Sequence, residues 1–320
     1  MSQPPSTHHQ LIPLISGVGA GIVCSVLCSP LDVAKIRIQV QDAVLPRNIP
    51  RKYHGVIPTL TTIWAEEGAR GWYKGLAPAM ICIPIFWGIY FYVYERAKGV
   101  FKQATGRDHH LLPAITAGAL TDVVTNPFWV VRTRMQTQVL HEVLEERGKA
   151  MGMMDTFRHV HKTEGWRAFY RGLTASLLGL THVAIQFPVY EQLKLEARKY
   201  RKGREHAQDL ILASGTAKIV SSVMTYPHEV VRARMQDERS CLKVQGNGLW
   251  RTICDIWQRE GPLALYSGFG VNLVRVIPSC VATFFTYEML SRGLNSRFGG
   301  GSPPLAPPRA TRGTEDREGY

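Results

Sequence analysis

A proline followed two residues later by an acid and five residues later by a base is written three times in this chain, with one exception in the middle copy. The copies are Pro30-Leu-Asp-Val-Ala-Lys-Ile-Arg-Ile-Gln39, Pro127-Phe-Trp-Val-Val-Arg-Thr-Arg-Met-Gln136 and Pro227-His-Glu-Val-Val-Arg-Ala-Arg-Met-Gln236, at offsets of 97 and 100 residues. Side chains three apart share a helix face, so Asp32 with Lys35 and Glu229 with Arg232 offer reversible ion pairing. Around a threefold axis each acid can pair with the base of the next helix, and such pairs hold three helix ends shut. In the middle copy Trp129 stands in the acid's place beside Arg132. Covalent chemistry has little support: the chain lacks a Gly-x-x-x-x-Gly-Lys-[Ser/Thr] loop, a Gly-x-Ser-x-Gly elbow and a His-Glu-x-x-His pair. Its six cysteines (Cys24, Cys28, Cys82, Cys241, Cys254, Cys280) form no Cys-x-x-Cys pair. They read as small buried thiols rather than as metal ligands or disulfides.

Two further phrases repeat with the first. Glu67-Gly-Ala-Arg-Gly-Trp-Tyr-Lys-Gly75 returns as Glu164-Gly-Trp-Arg-Ala-Phe-Tyr-Arg-Gly172 and Glu260-Gly-Pro-Leu-Ala-Leu-Tyr-Ser-Gly268. Tyr94-Glu-Arg-Ala-Lys98 returns as Tyr190-Glu-Gln-Leu-Lys194 and Tyr287-Glu-Met-Leu-Ser291. A tandem unit of this length sets the architecture. The units run 11–105, 106–204 and 205–298. A flexible stretch 1–10 precedes them, and the Gly- and Pro-rich tail 299–320 has a composition that cannot repay ordering.

The elements that must position these charges are long and apolar. Leu11–Leu31, Leu76–Tyr94, Leu111–Val131, Leu173–Tyr190, Leu210–Val231 and Phe269–Tyr287 are each long enough, at about 20 residues, to cross a hydrocarbon core. A net charge of +13 suits either nucleic acid or anionic lipids and solutes. Uncharged runs of membrane length contradict a soluble nucleic-acid binder, and the basic residues crowd between and at the ends of these runs, where they face anionic headgroups. The near-neutral mean hydropathy of −0.08 is the chief objection. It is answered by where the charges inside the spans lie: three spans carry an interior ionisable residue, Asp122, Lys218 and Arg275, which such a bundle turns toward a watery interior.

Helical phase places two of these charges. Lys218 lies eleven residues before Glu229, and Asp122 seven before Trp129, each a net rotation of about 20°, so both share a stripe with the gate residues. Pro278 prevents the same phasing of Arg275 against Glu288. Lys218 then either binds substrate or pairs with Asp122 across the cavity, and Asp122 either acts or merely satisfies a neighbouring base. Trp87 and Trp129 serve packing or ring stacking, and His182 reads as a hydrogen-bonded interior histidine. Pro30, Pro127 and Pro227 bend three spans so that their ends converge. Amphipathic helices are expected at Val56–Glu66, Met153–Thr163 and Leu249–Arg259, each stopped by glycine.

Taken together the nine phrases resemble the mitochondrial carrier family, over residues 11 to 298. The resemblance implies an all-α membrane fold: six transmembrane helices in a threefold pseudosymmetric barrel with short matrix-side helices, opening alternately to either side. It implies a matrix gate of Asp32, Lys35, Arg132, Glu229 and Arg232, in which Trp129 removes one ion pair, with Gln39, Gln136 and Gln236 bracing the pairs from beneath. A cytoplasmic gate would use Glu95 with Lys98, Glu191 with Lys194, and Glu288, braced by Tyr94, Tyr190 and Tyr287. Ser291 replaces its last base, with Arg292 adjacent as a substitute, and Ser267 replaces the last base of the acidic-Gly phrase. Gly17 and Gly21 match a close-packing face.

Trp129 and the stretches around Gln186, Pro227 and Arg275 resemble the branch carrying NAD, pyrimidine nucleotides, FAD and folates, and are most similar to the NAD carriers. Substrate contacts implied by the family are Cys82 with Ile83, Leu178 with Gly179, and Arg275 with Val276. Lys218 and Arg275 offer cations for phosphate, and Asp122 completes the set. The resemblance implies transport of a nucleotide-like solute by a monomer in the inner mitochondrial membrane, with peroxisomal or plastid membranes as alternatives. Anionic lipid such as cardiolipin is the expected partner. No enzyme activity, cofactor, metal or nucleic acid is expected.

Overall fold

The computed structural model describes residues 7–45, 50–106, 111–145, 151–200, 207–237 and 248–298; the tail 299–320 and Cys241 lie outside them. Every element there is helical. The long helices are α1 (Thr7–Val44), α4 (Leu76–Thr105), α5 (Leu111–Glu145), α7 with α8 (Leu173–Gly179, Thr181–Tyr200), α9 (Ala207–Gln236) and α11 (Phe269–Phe298). The connecting helices are α2 (Val56–Glu67), α6 (Met153–Glu164) and α10 (Leu249–Glu260). One turn of helix follows each: α3 (Ala69–Trp72), then 3₁₀ turns at Trp166–Tyr170 and Pro262–Tyr266. α1 packs on α11, α4 on α5 and α8 on α9; α1 also touches α4, α5 and α9, α5 touches α7, and α9 touches the 3₁₀ turn that precedes α11.

The connecting helices end one residue later than the sequence predicts. Gly68, Gly165 and Gly261 stop them at φ 65°, 76° and 88°, backbone that favours glycine. α1 begins inside the stretch read as flexible, at Thr7. The fourth span is not one helix: it breaks at Leu180, between Gly179 and Thr181. Among the described residues four stretches are long and apolar enough to cross a membrane, namely Ile15–Val44, Ala69–Ala104, Trp166–Lys199 and Pro262–Ser296. α5 and α9 reach that length without that hydropathy, because they carry Asp122 and Lys218 together with gate arginines. Large apolar side chains such as Ile277, Phe284 and Leu212 are exposed around the outside, where lipid supplies the contacts a soluble core would otherwise give.

The buried core lies at one end, where the proline motifs converge. Val33, Ala34, Ile38, Leu140, Ala233 and Val271 pack there with Tyr53 and Ile63. Gly17 has open space beside it, so it is not a packing glycine; Gly19 and Gly21 are, since a side chain there would meet Leu290 of α11 and Ile83 of α4. Three equivalent contacts tie each repeat to the next. Gly75, Gly172 and Gly268, at φ 79°, 77° and 78°, back onto Gln136, Gln236 and Gln39 so closely that a Cβ would lie 2.9, 3.0 and 3.2 Å from those side chains.

Beneath them run three buried arginines, Arg37, Arg134 and Arg234. Each guanidinium grips a glutamate of its own connecting helix: Glu67, Glu164 and Glu260. Each Nε also donates across to the following repeat, Arg37 to the carbonyl of Gln136 (3.0 Å), Arg134 to Gln236 (3.2 Å) and Arg234 to Gln39 (3.0 Å). Lys74 and Arg171 add a second cation to the first two glutamates. At the third, Ser267 stands in that place and donates instead to the carbonyl of Ile38. Burial pushes the Glu67 and Glu164 carboxyls up, but hydrogen bonds and charge from their paired cations outweigh it and hold both below the ordinary 4.5.

Because those folded values are depressed, the stabilisation is present at neutral pH and lost as pH falls through them. Glu164→Gln should therefore cost about 3 kcal/mol or more at neutral pH, and more than Glu260→Gln, which deprives one cation instead of two. Melting temperatures in detergent check this; equal melting of Glu164→Gln and wild type at pH 7, or a gap that fails to narrow at acid pH, contradicts it.

Candidate functional site

α1, α5 and α9 bring the proline motifs face to face. Asp32 accepts from Arg132 Nη2 at 2.7 Å, joining α1 to α5. Lys35 pairs with Glu229, joining α1 to α9, and donates to Asn272 Oδ1 at 2.9 Å on α11. The third side, α5 to α9, has no acid at 129. There the Trp129 ring lies under the guanidinium of Arg232 at 5.6 Å and that of Arg132 at 5.2 Å. Two sides of this end are closed by ion pairs and one by cations stacked on an indole.

The residue before each motif proline locks the connection locally. Ser29 donates to the Trp72 carbonyl, Asn126 to that of Phe169 and Tyr226 to that of Ser267, at 2.9, 2.6 and 2.9 Å. Sequence reasoning assigned these residues no role, although their shared place in the repeat was the available signal. Asn272 was missed too; it lies three residues before Arg275 and so shares its face. Among the described residues the glutamine side chains bond partners other than the gate ion pairs. Gln39 donates to the Tyr226 hydroxyl at 2.9 Å and Gln236 accepts from Thr133 at 2.8 Å. Their backbone carbonyls, and that of Gln136, take the arginine bonds of the neighbouring repeat.

Among the pairs is a cavity of about 270 Å³, lined by Asp32, Lys35, Trp129, Arg132, Glu229, Arg232 and Arg275 and, further along the same helices, by Gln39, Gln136 and Gln236. Four permanent cations face two carboxylates in that lining. Arg275 is not the free anchor its position in the sequence implied: its Nη1 donates to Asp32 Oδ1 at 2.9 Å, so one carboxylate holds two guanidinium groups. Lys218 and Asp122 are both half-buried, and no ion pair joins them among the described residues.

The other implied contacts divide. Cys82 is buried at 1% exposure, so it meets no solute in this conformation, and Ile83 packs toward Gly21 of α1. Val276 is half-buried and Leu178 exposed. Gly179, at the break in the fourth span, abuts the His228 ring; a Cβ there would come within 2.8 Å of His228 Nε2. His228 Nδ1 bonds the Thr225 carbonyl, which can only accept, so Nδ1 carries a proton. His182 Nδ1 meets the Thr225 hydroxyl at 3.1 Å, an interior hydrogen bond.

The tyrosine motifs at the opposite end are less buried than the proline motifs. Glu95, Glu191, Tyr287 and Glu288 are exposed, while Tyr94, Lys98, Tyr190 and Lys194 are half-buried. Glu288 pairs with Arg292 of its own helix, so Arg292 does not reach a neighbour in place of Ser291 in this conformation. A cavity lined by the charges of the proline motifs, with less buried side chains at the tyrosine motifs, suits a charged solute.

The mitochondrial carrier protein family matches the chain three times, at residues 6–105, 109–201 and 203–298. The chain belongs to this family. The carrier is 40% identical over 293 residues to mitochondrial nicotinamide adenine dinucleotide transporter 1 of Saccharomyces cerevisiae, covering 89% of this chain and 78% of that one. It is 37% identical over 304 residues to the chloroplastic nicotinamide adenine dinucleotide transporter 1 of Arabidopsis thaliana, covering 92% and 95%. It is 34% identical over 295 residues to the chloroplastic folate transporter 1 of Arabidopsis thaliana, covering 85% and 92%.

Asp32→Asn removes the charge that two guanidinium groups share and one of the two oxygens that accept from them, so in the carrier it should cost about 3–5 kcal/mol. Glu288→Gln breaks an exposed within-helix pair worth about 0.2–0.5 kcal/mol. Thermal unfolding of both variants in one detergent tests the asymmetry, and comparable shifts would contradict the assignment of the closed end.

Proposed function

We propose that this carrier moves a nucleotide-type cofactor, NAD before others, across the mitochondrial inner membrane by alternating access, in exchange for another nucleotide. The observation that carries the reading is the cavity floor, where four cations meet two carboxylates and an anionic solute makes up the deficit. The names of the relatives from Saccharomyces and Arabidopsis supply the substrate class, and the folate transporter of Arabidopsis keeps folate as a second reading. Peroxisomal or plastid membranes remain the alternative location, the latter supported by the chloroplastic relatives.

In this reading the carrier rests open toward the cytoplasm. Substrate phosphate meets Arg275 and Lys218, while a ring lies beside exposed Leu178 and displaces the His228 ring from the Gly179 backbone. Binding draws Arg275 away from Asp32, which loosens the gate of Asp32, Lys35, Arg132, Glu229 and Arg232. Glu95, Lys98, Glu191, Lys194 and Glu288 then close the other end. Transport follows gradients and needs no covalent step. The carrier acts as a monomer, with anionic lipid around its basic rim.

Uptake of labelled NAD into liposomes loaded in turn with NAD, AMP, UTP, FAD or folate tests this. Saturable exchange with NAD, competed by AMP but not UTP, is expected; transport of UTP or folate alone would discard the substrate. Arg275→Ala should abolish exchange while leaving the protein folded, and normal uptake by that variant would refute the site.

A further inference from the structure

We propose that Trp129 and Arg232 form a phosphate site at the cavity floor, where a phosphate of the substrate takes the place of the acid this chain lacks at position 129. The proposal rests on the nucleotide reading above and adds the group and the place.

Three of the four floor cations are engaged. Lys35 holds Glu229 and Asn272, and Arg132 and Arg275 share Asp32. Arg232 makes no ion pair among the described residues: it lies over the face of Trp129, and the carboxylates of Asp122 and Glu229 act on it only through their charge, without a paired contact. Arg132 lies over the same ring, so the indole gathers two like charges that repel each other unless an anion joins them. A ring face attracts a guanidinium by about 0.5–2 kcal/mol but leaves its N–H donors without acceptors.

A second, independent observation points to the same ligand. Among the described residues four buried nitrogens of the lining side chains find no protein acceptor: Arg132 Nε, Arg275 Nε, Gln136 Nε2 and Gln236 Nε2. All four are donors turned into the packing beneath the cavity surface, so they reach an occupant only when their side chains shift. Burying unmatched donors is costly, so an anionic occupant rich in acceptor oxygens, as a phosphate is, is the one that gains from that shift. At about 270 Å³ the cavity is smaller than the usual space for a drug-sized ligand. It takes phosphates while the rings of a dinucleotide stay above, near Gly179.

The arrangement also couples binding to opening. On the α5 to α9 side an entering phosphate engages Arg232 without first breaking an ion pair. From there it competes with Asp32 for Arg132, which already shares the indole. Differential binding of this kind is what shifts a two-state gate.

The test uses the purified carrier in detergent and liposomes, with NAD, inorganic pyrophosphate and inorganic phosphate as probes. Trp129→Asp supplies an acid against Arg232. It should raise the melting temperature of the empty carrier, weaken apparent NAD affinity about tenfold or more, and abolish the melting shift induced by pyrophosphate. Trp129→Phe, which keeps an aromatic face, should lose less affinity than Trp129→Asp. Arg232→Gln should lose affinity without the rise in melting temperature. Wild-type affinity in Trp129→Asp overturns the site; should that variant not fold, wild-type affinity in Arg232→Gln overturns it equally. Competition by inorganic phosphate as strong as by pyrophosphate overturns the assignment to a nucleotide's phosphates. Absence of NAD exchange in the wild type refutes the substrate reading instead, and the pyrophosphate shift with its loss in Trp129→Asp still decides the site.

Discussion

A guanidinium carries its donors in one rigid plane, and burying it requires acceptors that lie where that plane points. Arg37, Arg134 and Arg234 meet this requirement identically, each with a glutamate of its own repeat and a carbonyl of the next. The three bonds run in a cycle through α1, α5 and α9, so parting any two of these helices breaks a buried Nε–H bond to a carbonyl while the glutamate of the same repeat keeps the charge paired. The short helices α2, α6 and α10 are pinned by the same glutamates. Everything above, including the spacing of Asp32, Lys35, Arg132 and Glu229, inherits its geometry from this ring.

Function shows where the threefold repetition fails. Trp129 breaks it at the gate, and Arg275 and Asn272 come from one even-numbered span without counterparts in the other two bonding the gate among the described residues. Ser267 breaks it below, where the loss of a cation is offset by a chain of hydrogen bonds from Gln39 through Tyr226 to the Ser267 carbonyl. Gly179 breaks it along the wall by interrupting a span beside His228. Of these departures Trp129 and Arg275 line the cavity itself, as expected if symmetry serves the mechanism and asymmetry serves an asymmetric solute.

Local signals were readable and cross-chain ones were not. Val56, Met153 and Leu249 could be placed because apolar spacing and a following glycine act within a dozen residues. The six spans were legible as lengths, yet α5 and α9 are less apolar than the rest because their charges face inward. The bond from Arg275 to Asp32 joins residues 243 apart, with Pro278 obscuring the helical phase. The break at Leu180 carried no proline, and the burial of Cys82 depends on which helix neighbours it. The stacking of two arginines on Trp129 was half visible: the missing acid stood in the sequence, but what replaced it did not.

The most direct check on the account is charge reversal across the gate at Lys35 and Glu229, whose pairing closes α1 onto α9. NAD exchange would be measured for Lys35→Glu, for Glu229→Lys and for the two together. Each single reversal sets like charges against each other and should stop exchange, whereas the double variant should recover it. Recovery absent from a folded double variant, or full exchange in either single one, would contradict a gate held by ion pairs between helices.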